Sequence, residues 1–285
     1  MKSGVWCAFG AQNALGEGPL WDPATNRLYW FDIKRARLHW GVPASGEQGF
    51  WALPCRASAA MIRERGGLLL ASEQGLATFD TASGAFEVIR PLEAEPGFRS
   101  NDGKIDVRGR FWWGTMDDDG GKRPGVLYRY DPDGTLEEVV DDIHIVNTVS
   151  CSPDGRTYYL ADSKRGVIWA FDMDEAGRLS NRRVFVETEG PDGSAVDAEG
   201  YLWNAQWGAW RIVRYAPDGT VKRIVEMPVE QPSSCAFGGP EMTTLFVTTA
   251  REGLSDEALA GQPLAGSVLA FEAGVRGLEL PRFAG

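Results

Sequence analysis

Six polar residues that carry side-chain oxygen recur at one position in six related segments of this chain. They are Glu17, Ser58, Asn101, Asn147, Asp192 and Ser233, and each stands five residues before the turn that follows a short apolar run. Four of them supply carboxylate or amide oxygens, the hard ligands that hold a divalent cation together with water. If the fold brings these positions together, the sequence predicts a metal site.

A simpler interpretation is that a loop entering a strand favours Ser, Asn and Asp for their turn chemistry alone. This accounts for Ser58 and Ser233 but poorly for Glu17, because Glu is a weak turn former. Without a cation, the carboxylates of Glu17 and Asp192 would repel each other in a partly desolvated site. The residues therefore favour a metal site over turn polarity, and both interpretations stay open at this point.

The segments that must position these residues share one order of features: an apolar strand, a turn, a strand rich in aromatic residues, and a further strand. The copies are GPLWDPATNRLYWFDIKRARLHW, a weaker AAMIRERGGLLLASEQGLATFDTASG, KIDVRGRFWWGTM with GVLYRYDPDG, VSCSPDGRTYYLADSKRGVIWAFDMDEAG, SAVDAEGYLWNAQWGAWRIVRYAPDG, and CAFGGPEMTTLFVTTAR with GSVLAFE. Two-residue alternation in LYWFDI, RTYYLADS and YLWNAQW indicates strands. The turns PATNRL, RGRF, PDGR and AEGY occupy the same place in their copies, as hairpin connections do.

The copies recur every 41 to 46 residues, which is the spacing of four-stranded propeller blades. Six such copies nearly exhaust the chain, so the sequence predicts an all-β fold: a single domain over residues 1–285, with six four-stranded antiparallel blades around a central channel. The first strand of each blade would line the channel and place the six polar residues in a ring at one mouth. The N-terminal VWCAF is predicted to be an outer strand of the last blade, and Ser255–Leu259 a helical turn.

Composition limits the partners that the protein can have. The chain has 29 Lys and Arg against 40 Asp and Glu, a net charge of −11, so its surface repels nucleic acid and anionic membranes. No run of 18 apolar residues and no signal peptide is recognised, and the four scattered cysteines favour buried, reduced thiols. We expect a cytoplasmic protein, a monomer or homodimer.

The motifs LGEGPLWD, RSNDGKID, VNTVSCSPDGRTYYLADS, PDGSAVDAEGYLW, and SSCAFGG followed by LFVTTAR resemble the gluconolactonase / senescence-marker-protein (regucalcin-like) family of sugar lactonases. The resemblance runs from about Leu15 to the C-terminal GSVLAF. WWGTM and TTAREGLSDEAL are most similar to bacterial aldonolactonases of the xylonolactonase and arabinonolactonase type. Several ordered motifs at blade spacing make this a specific resemblance.

The resemblance implies that Glu17, Asn147 and Asp192 are the protein ligands of one divalent metal, and that Arg99 and Asn101 bind the substrate. Ca, Zn, Mn, Fe(II) and Mg all suit such oxygen ligands. The family usually has Gly where this chain has Thr148, so we expect a shifted backbone there. Asp102, one residue off the common register, is interpreted as a capping residue.

The predicted function is metal-dependent hydrolysis of a sugar lactone to the aldonic acid. Metal-activated water would attack the carbonyl, with Asp192 as the general base. Alternatives are a related metal-dependent esterase or phosphotriesterase, and a non-catalytic calcium-binding propeller. An aromatic pocket built from Trp113, Trp203, Trp207 and Trp210 would favour the esterase, although these positions are also typical of blade packing.

Other reactive side chains receive structural interpretations. His39 and His144 do not suit a general base. Cys151 is expected to be a buried thiol of an inner strand. The run Asp117-Asp118-Asp119 is interpreted as a solvated loop, with a sugar-binding carboxylate as the alternative.

Overall fold

A computed structural model describes residues 4–92 and 95–285 of the chain. Its strands form six four-stranded sheets. These sheets are the blades of a six-bladed β-propeller, and the predicted all-β fold class is confirmed. Contacts divide the chain into two compact units, with one boundary between Pro191 and Asp192. That residues 1–285 form one domain stays a prediction.

One unit extends to Ala52 and continues over Asp192–Leu278, and it contains blades 1, 5 and 6. Blade 1 is β2 to β5, blade 5 is β18 to β21, and blade 6 is β22 to β24 with β1 as its outer strand. The strands are β1 Trp6–Phe9, β2 Gly16–Asp22, β3 Arg27–Asp32, β4 Arg37–Val42, β5 Glu47–Ala52, β18 Pro191–Val196, β19 Leu202–Gln206, β20 Arg211–Tyr215, β21 Val221–Glu226, β22 Pro232–Gly238, β23 Thr244–Thr249 and β24 Val268–Glu272.

The other unit covers Leu53–Pro191 and the C-terminal segment from Glu279, and it contains blades 2, 3 and 4. Blade 2 is β6 to β9, blade 3 is β10 to β13, and blade 4 is β14 to β17. The strands are β6 Ala57–Ile62, β7 Leu68–Ser72, β8 Gly75–Phe79, β9 Phe86–Pro91, β10 Phe98–Ile105, β11 Phe111–Asp117, β12 Gly125–Tyr130, β13 Leu136–Ile143, β14 Val146–Cys151, β15 Thr157–Asp162, β16 Val167–Met173 and β17 Leu179–Glu187.

Two local predictions about blade 6 are confirmed. Strand β1 pairs antiparallel with β24, so the N-terminal VWCAF segment supplies the outer strand of the last blade. A six-residue helix, α1 (Asp256–Gly261), follows Ser255, whose side chain accepts a hydrogen bond from the amide of Ala258 and caps the helix. In the described part of the chain, no helix has the length and apolarity that a membrane crossing requires.

Burial differs along each blade in the way that the strand patterns predict. The first two strands are buried on both faces, whereas the outermost strands mix exposed and half-buried residues, as in β9, where Glu87 and Ile89 are exposed and Phe86 and Val88 are half-buried. Each unit has its own apolar core, with Trp30 and Trp203 fully buried in one and Trp112 and Trp113 in the other. The inner strands are therefore rigidly packed supports for the residues at their ends.

In blades 3 and 5 an aspartate holds the turn after the inner strand. Asp106 accepts hydrogen bonds from the amides of Arg108 and Arg110 at 2.8 and 3.1 Å, and from Trp112 Nε1 at 2.9 Å. Asp197 accepts the same kind of indole bond from Trp203 at 2.9 Å. In these two blades the bond links the end of the first strand to the second strand and helps to fix the register between them.

Candidate functional site

The six residues of the common register all lie near the start of the first strand of their blade. Glu17, Ser58, Asn101, Asn147, Asp192 and Ser233 belong to β2, β6, β10, β14, β18 and β22, and all are buried. In blades 1, 2, 3, 4 and 6 the pairing between the first and second strands shifts at this place, which marks a β-bulge. A bulge re-aims side chains and is frequent at functional sites.

In the unit with blades 1, 5 and 6, backbone contacts hold Glu17 beside the start of blade 6. Ser233 Oγ donates a hydrogen bond to the carbonyl of Gly16 at 2.5 Å. Glu17 Oε2 accepts a bond from the amide of Gly18 at 3.1 Å. The carboxylate is thus folded back over its own bulge.

Asp192 lies on the first strand of blade 5, in the same unit. Its carbonyl oxygen accepts a hydrogen bond from Asn204 Nδ2 at 3.0 Å. The next residue, Gly193, packs so closely on blade 6 that a Cβ atom there would stand 2.0 Å from Ser234 Oγ. Only glycine permits this approach, so the strand carrying Asp192 is held tightly against its neighbour.

In the unit with blades 2, 3 and 4, the register residues are hydrogen-bonded to one another. Ser58 Oγ donates to the carbonyl of Asn101. Asn101 Nδ2 donates to the carbonyl of Val146 at 2.9 Å and to Asn147 Oδ1 at 3.1 Å. The structure therefore brings together the predicted substrate-binding Asn101 and the predicted metal ligand Asn147.

The guanidinium of Arg99 is hydrogen-bonded to the side chain of Asn101. Its Nη1 donates to Asn101 Oδ1 at 2.6 Å and to the carbonyl of Ser100 at 3.0 Å, and its Nε donates to Asp118 Oδ1 at 2.8 Å. Arg56 Nη1 donates to the second oxygen of Asp118 at 2.8 Å. Among the described residues, Arg99 Nη2 has no hydrogen-bond acceptor, so two N–H donors of a rigidly held guanidinium are left over.

Asn147 is also held at its other end. Its Nδ2 donates to Ser163 Oγ at 2.8 Å, and Ser163 Oγ donates to the carbonyl of Pro191 at 2.5 Å. Hydrogen bonds therefore run in one direction from Arg99 through Asn101, Asn147 and Ser163 to a backbone carbonyl. At every step of this hydrogen-bonded series, an N–H or O–H group donates to an oxygen atom that can accept.

The side chain of Asp102 binds backbone amides and not the side chains that Asn101 contacts. Its Oδ1 accepts from the amide of Gly103 at 2.9 Å and its Oδ2 from the amide of Val149 at 3.0 Å. Complete burial raises the pKa of this carboxyl, although Lys104 and the amide bonds act in the opposite direction. Asp102 thus caps the bulge of blade 4, in line with its interpretation as a capping residue.

Thr148 has a backbone conformation that usually favours glycine. Its φ is 54°, and Gly18, which follows Glu17 in blade 1, has the same φ of 54°. A β-branched residue is rarely found in this left-handed region. Thr148 is fully buried in this strained conformation, and a shift of the backbone relative to other family members stays a prediction.

The three consecutive aspartates have three different environments. Asp117 accepts from Arg123 Nη2 at 3.2 Å, Asp119 pairs with Lys122 Nζ at 2.6 Å, and Asp118 alone faces Arg56 and Arg99. An open cavity of about 570 Å³ is lined by Gly97, Asp117, Asp118, Asp119, Lys122 and Arg123. The solvated-loop interpretation therefore holds for Asp119 only.

The other reactive side chains have structural surroundings. Burial lowers the pKa of His39 to about 4, and its ring stacks on Trp30 with centroids 5.2 Å apart. His144 Nδ1 donates to the carbonyl of Gly121 at 2.8 Å. Burial raises the pKa of Cys151 to about 12, which disfavours the thiolate that a nucleophile needs. The expectation of buried thiols is wrong for Cys7, which is exposed.

No group of three His, Cys, Asp or Glu side chains that could hold a metal ion occurs within residues 4–92 and 95–285. The predicted ligand set has only two residues of these types, because its third member is Asn147. Sequence reasoning missed Arg56, Asp118 in its pairing with Arg99, and Ser163. Arg56 stands two residues before Ser58, as Arg99 does before Asn101, so the repeat alignment contained that signal.

Comparison with known proteins gives consistent matches over nearly the whole chain. The family model described as SMP-30/Gluconolactonase/LRE-like region matches residues 15–251. The chain is 42% identical over 284 residues to L-arabinolactonase of Azospirillum brasilense, with 96% of this chain and 93% of that protein covered. It is 35% identical over 292 residues to 6-deoxy-6-sulfogluconolactonase of Pseudomonas putida, with 100% of both covered. Among solved structures, regucalcin of Agrobacterium tumefaciens, described as a calcium-binding protein, has a TM-score of 0.92 and 35% identity, with 98% of this chain and 96% of that chain covered.

Proposed function

This chain belongs to the SMP-30/gluconolactonase/LRE-like family, and from that membership and the geometry above we propose that it hydrolyses a sugar lactone to the corresponding aldonic acid. The two lactonases matched over almost their full length support this reaction. The substrate is then a small polyhydroxylated ester, which needs hydrogen-bond donors for its hydroxyl and carbonyl oxygens.

The observation that carries the proposal is the guanidinium of Arg99. Asp118 and Asn101 hold its Nε and Nη1, so its plane is fixed while the two Nη2 hydrogens stay available. A fixed pair of N–H donors suits the oxygens of a lactone and stabilises negative charge that develops on them. Asn101 Oδ1 accepts one bond from Arg99 and has a second lone pair for a sugar hydroxyl.

The side-chain types of the three proposed ligands suit a divalent metal ion. Glu17, Asn147 and Asp192 offer two carboxylates and one amide oxygen, which Ca, Mn, Mg, Fe(II) and Zn all accept. Asn147 Oδ1 takes one hydrogen bond from Asn101 Nδ2 and keeps a second lone pair for an ion. The calcium-binding description of the Agrobacterium relative supports a metal without identifying which one this chain uses. When bound, such an ion would polarise the lactone carbonyl and lower the pKa of water.

The chain's own residues then have distinct roles in the proposed reaction. Asp192 acts as the general base that takes a proton from the attacking water. Arg99 and Asn101 bind and orient the lactone. Water adds to the carbonyl carbon as its proton passes to Asp192, and the ring C–O bond then breaks. The ring oxygen takes this proton back from Asp192 and becomes the free hydroxyl group of the aldonic acid.

The competing activities have weaker support. Trp113 and Trp203 are buried in blade cores and therefore do not form the aromatic pocket that would favour an aryl ester or phosphotriester. Trp207 is half-buried and Trp210 is exposed, so they stay available for substrate. A calcium-binding protein without turnover is the third outcome of the same assay.

A lactone panel tests the proposal. Aldono-1,4- and 1,5-lactones and a paraoxon-like ester are assayed by pH-stat on chelator-treated protein, before and after single metals are added. We expect hydrolysis of at least one sugar lactone that depends on added metal and is lost in Asp192→Ala. Asp218→Ala, an exposed substitution in the same blade, should behave like wild type. Full lactone hydrolysis by Asp192→Ala would exclude the proposed role of that residue, and turnover of the phosphotriester alone would favour the alternative.

A further inference from the structure

An asparagine ligand poses a problem that a carboxylate does not, because its side chain ends in one oxygen and one NH2 group. Asn147 serves the proposed metal only if its oxygen, and not its nitrogen, faces the ion. The inference below rests on the proposed function, in which Asn147 is a ligand. The question is what decides the orientation of this amide.

Ser163 answers it by elimination. The hydroxyl of Ser163 has a single hydrogen, and that hydrogen is given to the carbonyl of Pro191 at 2.5 Å, because a carbonyl oxygen can only accept. The atom of Asn147 that lies 2.8 Å from Ser163 Oγ must therefore be the donor, Nδ2. With the nitrogen held there, the oxygen must point to the other side.

A second set of bonds reaches the same result from the opposite direction. Arg99 carries only donors, so Asn101 must turn Oδ1 toward it, at 2.6 Å from Nη1. Asn101 then presents Nδ2 to Asn147, and the atom that receives it at 3.1 Å must be Oδ1. Flipping the Asn147 amide would break the bonds on both sides at once.

We propose that Ser163 is a positioning residue that fixes the amide of Asn147 so that its oxygen faces the metal. Ser163 touches neither substrate nor ion in this role. It acts through the bond to Nδ2, and through its own bond to Pro191, the residue immediately before Asp192. The side chain is partly buried, so water competes only in part for these bonds.

The first test measures metal affinity of chelator-treated protein by calorimetry, without substrate. Ser163→Ala should raise the dissociation constant about 10- to 100-fold, the range found when partners of metal ligands are removed. Ser163→Thr keeps the hydroxyl and should restore binding to within about threefold of wild type. Ser152→Ala is the matched control, since it also removes a hydroxyl with two hydrogen bonds, directly after the end of β14, the strand that carries Asn147.

The second test removes the difference between the oxygen and the NH2 group of Asn147, on which the proposal depends. In an Asn147→Asp background both ends of the side chain are oxygens, so Ser163→Ala should now change the dissociation constant less than about threefold. A general structural role for Ser163 would instead give the same loss in both backgrounds, and that result would overturn the inference.

The two proposals fail differently. If wild type binds metal and Asn147→Ala weakens binding but Ser163→Ala does not, only the role of Ser163 is wrong. If wild type hydrolyses lactones without binding any metal, the metal-dependent function is wrong and the positioning role falls with it.

Discussion

Replacing Asp102 by Asn should destabilise the protein, because both carboxylate oxygens of this buried residue accept backbone N–H groups. Oδ1 receives the amide of Gly103 at 2.9 Å and Oδ2 the amide of Val149 at 3.0 Å. An asparagine has only one oxygen, so either orientation of its amide places an NH2 group against one of these N–H groups. One bond is lost and a donor is left without a partner in the interior.

The magnitude follows from these contacts. A hydrogen bond to a charged acceptor contributes about 1.5–3 kcal/mol, and a buried donor left without a partner costs about 1–3 kcal/mol. Burial raises the pKa of the Asp102 carboxyl, so the variant regains part of this loss because it has no charge to desolvate. We expect a net decrease of about 2 kcal/mol in the free energy of unfolding.

Urea denaturation at pH 7, followed by tryptophan fluorescence, measures this change. Asp80→Asn is the matched control, because exposed Asp80 also accepts two backbone amides, at 2.8 Å from Ala82 and Ser83, through a single oxygen. Water can replace a bond lost there, so the control should change stability by less than about 0.5 kcal/mol. Equal losses in the two variants would refute the argument that burial makes Asp102 a structural cap.

Three further outcomes are expected. Asp118→Ala removes the partner of Arg99 Nε and should raise KM for the lactone about tenfold, whereas exposed Asp119→Ala should not; equal effects would contradict the assigned contacts. The pKa of His39 in the folded protein lies below the pKa of the same imidazole in the unfolded chain. As pH falls from 7 to 5, the unfolded chain therefore takes up this proton and the folded protein does not, which lowers the stability of the fold. His39→Phe, which can retain the aromatic stacking, should therefore lose about 1 kcal/mol less stability than wild type between pH 7 and 5 in urea titrations, a value reduced for partial exposure of the ring. In a colorimetric thiol assay of native protein at pH 8, exposed Cys7 should react first and the three buried cysteines only on unfolding, and two or more fast thiols would contradict the burial.

The repeat spacing predicted the architecture well because a blade is a local unit. Each copy places its strands and turns within about 45 residues, so alternation and turn residues suffice to identify them. The same alignment located all six polar residues in the first strands of their blades, with Glu17 and Asp192 second in theirs. Strand β1 was predicted too, since a short apolar segment before the first copy had only an outer position to fill.

The backbone at Thr148 was harder to predict from its residue type. A threonine disfavours positive φ, so its residue type alone predicts a different backbone conformation. In the structure the bulge and the amide bonds to Asp102 hold the backbone at φ 54°. Contacts from the neighbouring blade outweigh the local preference of threonine. Single-residue propensities do not include such contacts.

The sequence by itself determined the fold class, the six-residue register and the family, because these depend on periodicity and on ordered motifs. Only the tertiary structure decided which side chains meet: Asp118 with Arg99, 19 positions apart, and Ser163 with Asn147, 16 apart. The physical reason is that hydrogen bonds are short and directional, so a partner is fixed by three-dimensional distance and by which atom can donate. The spacing of residues along the chain gives neither the distance between two side chains nor the atom that donates.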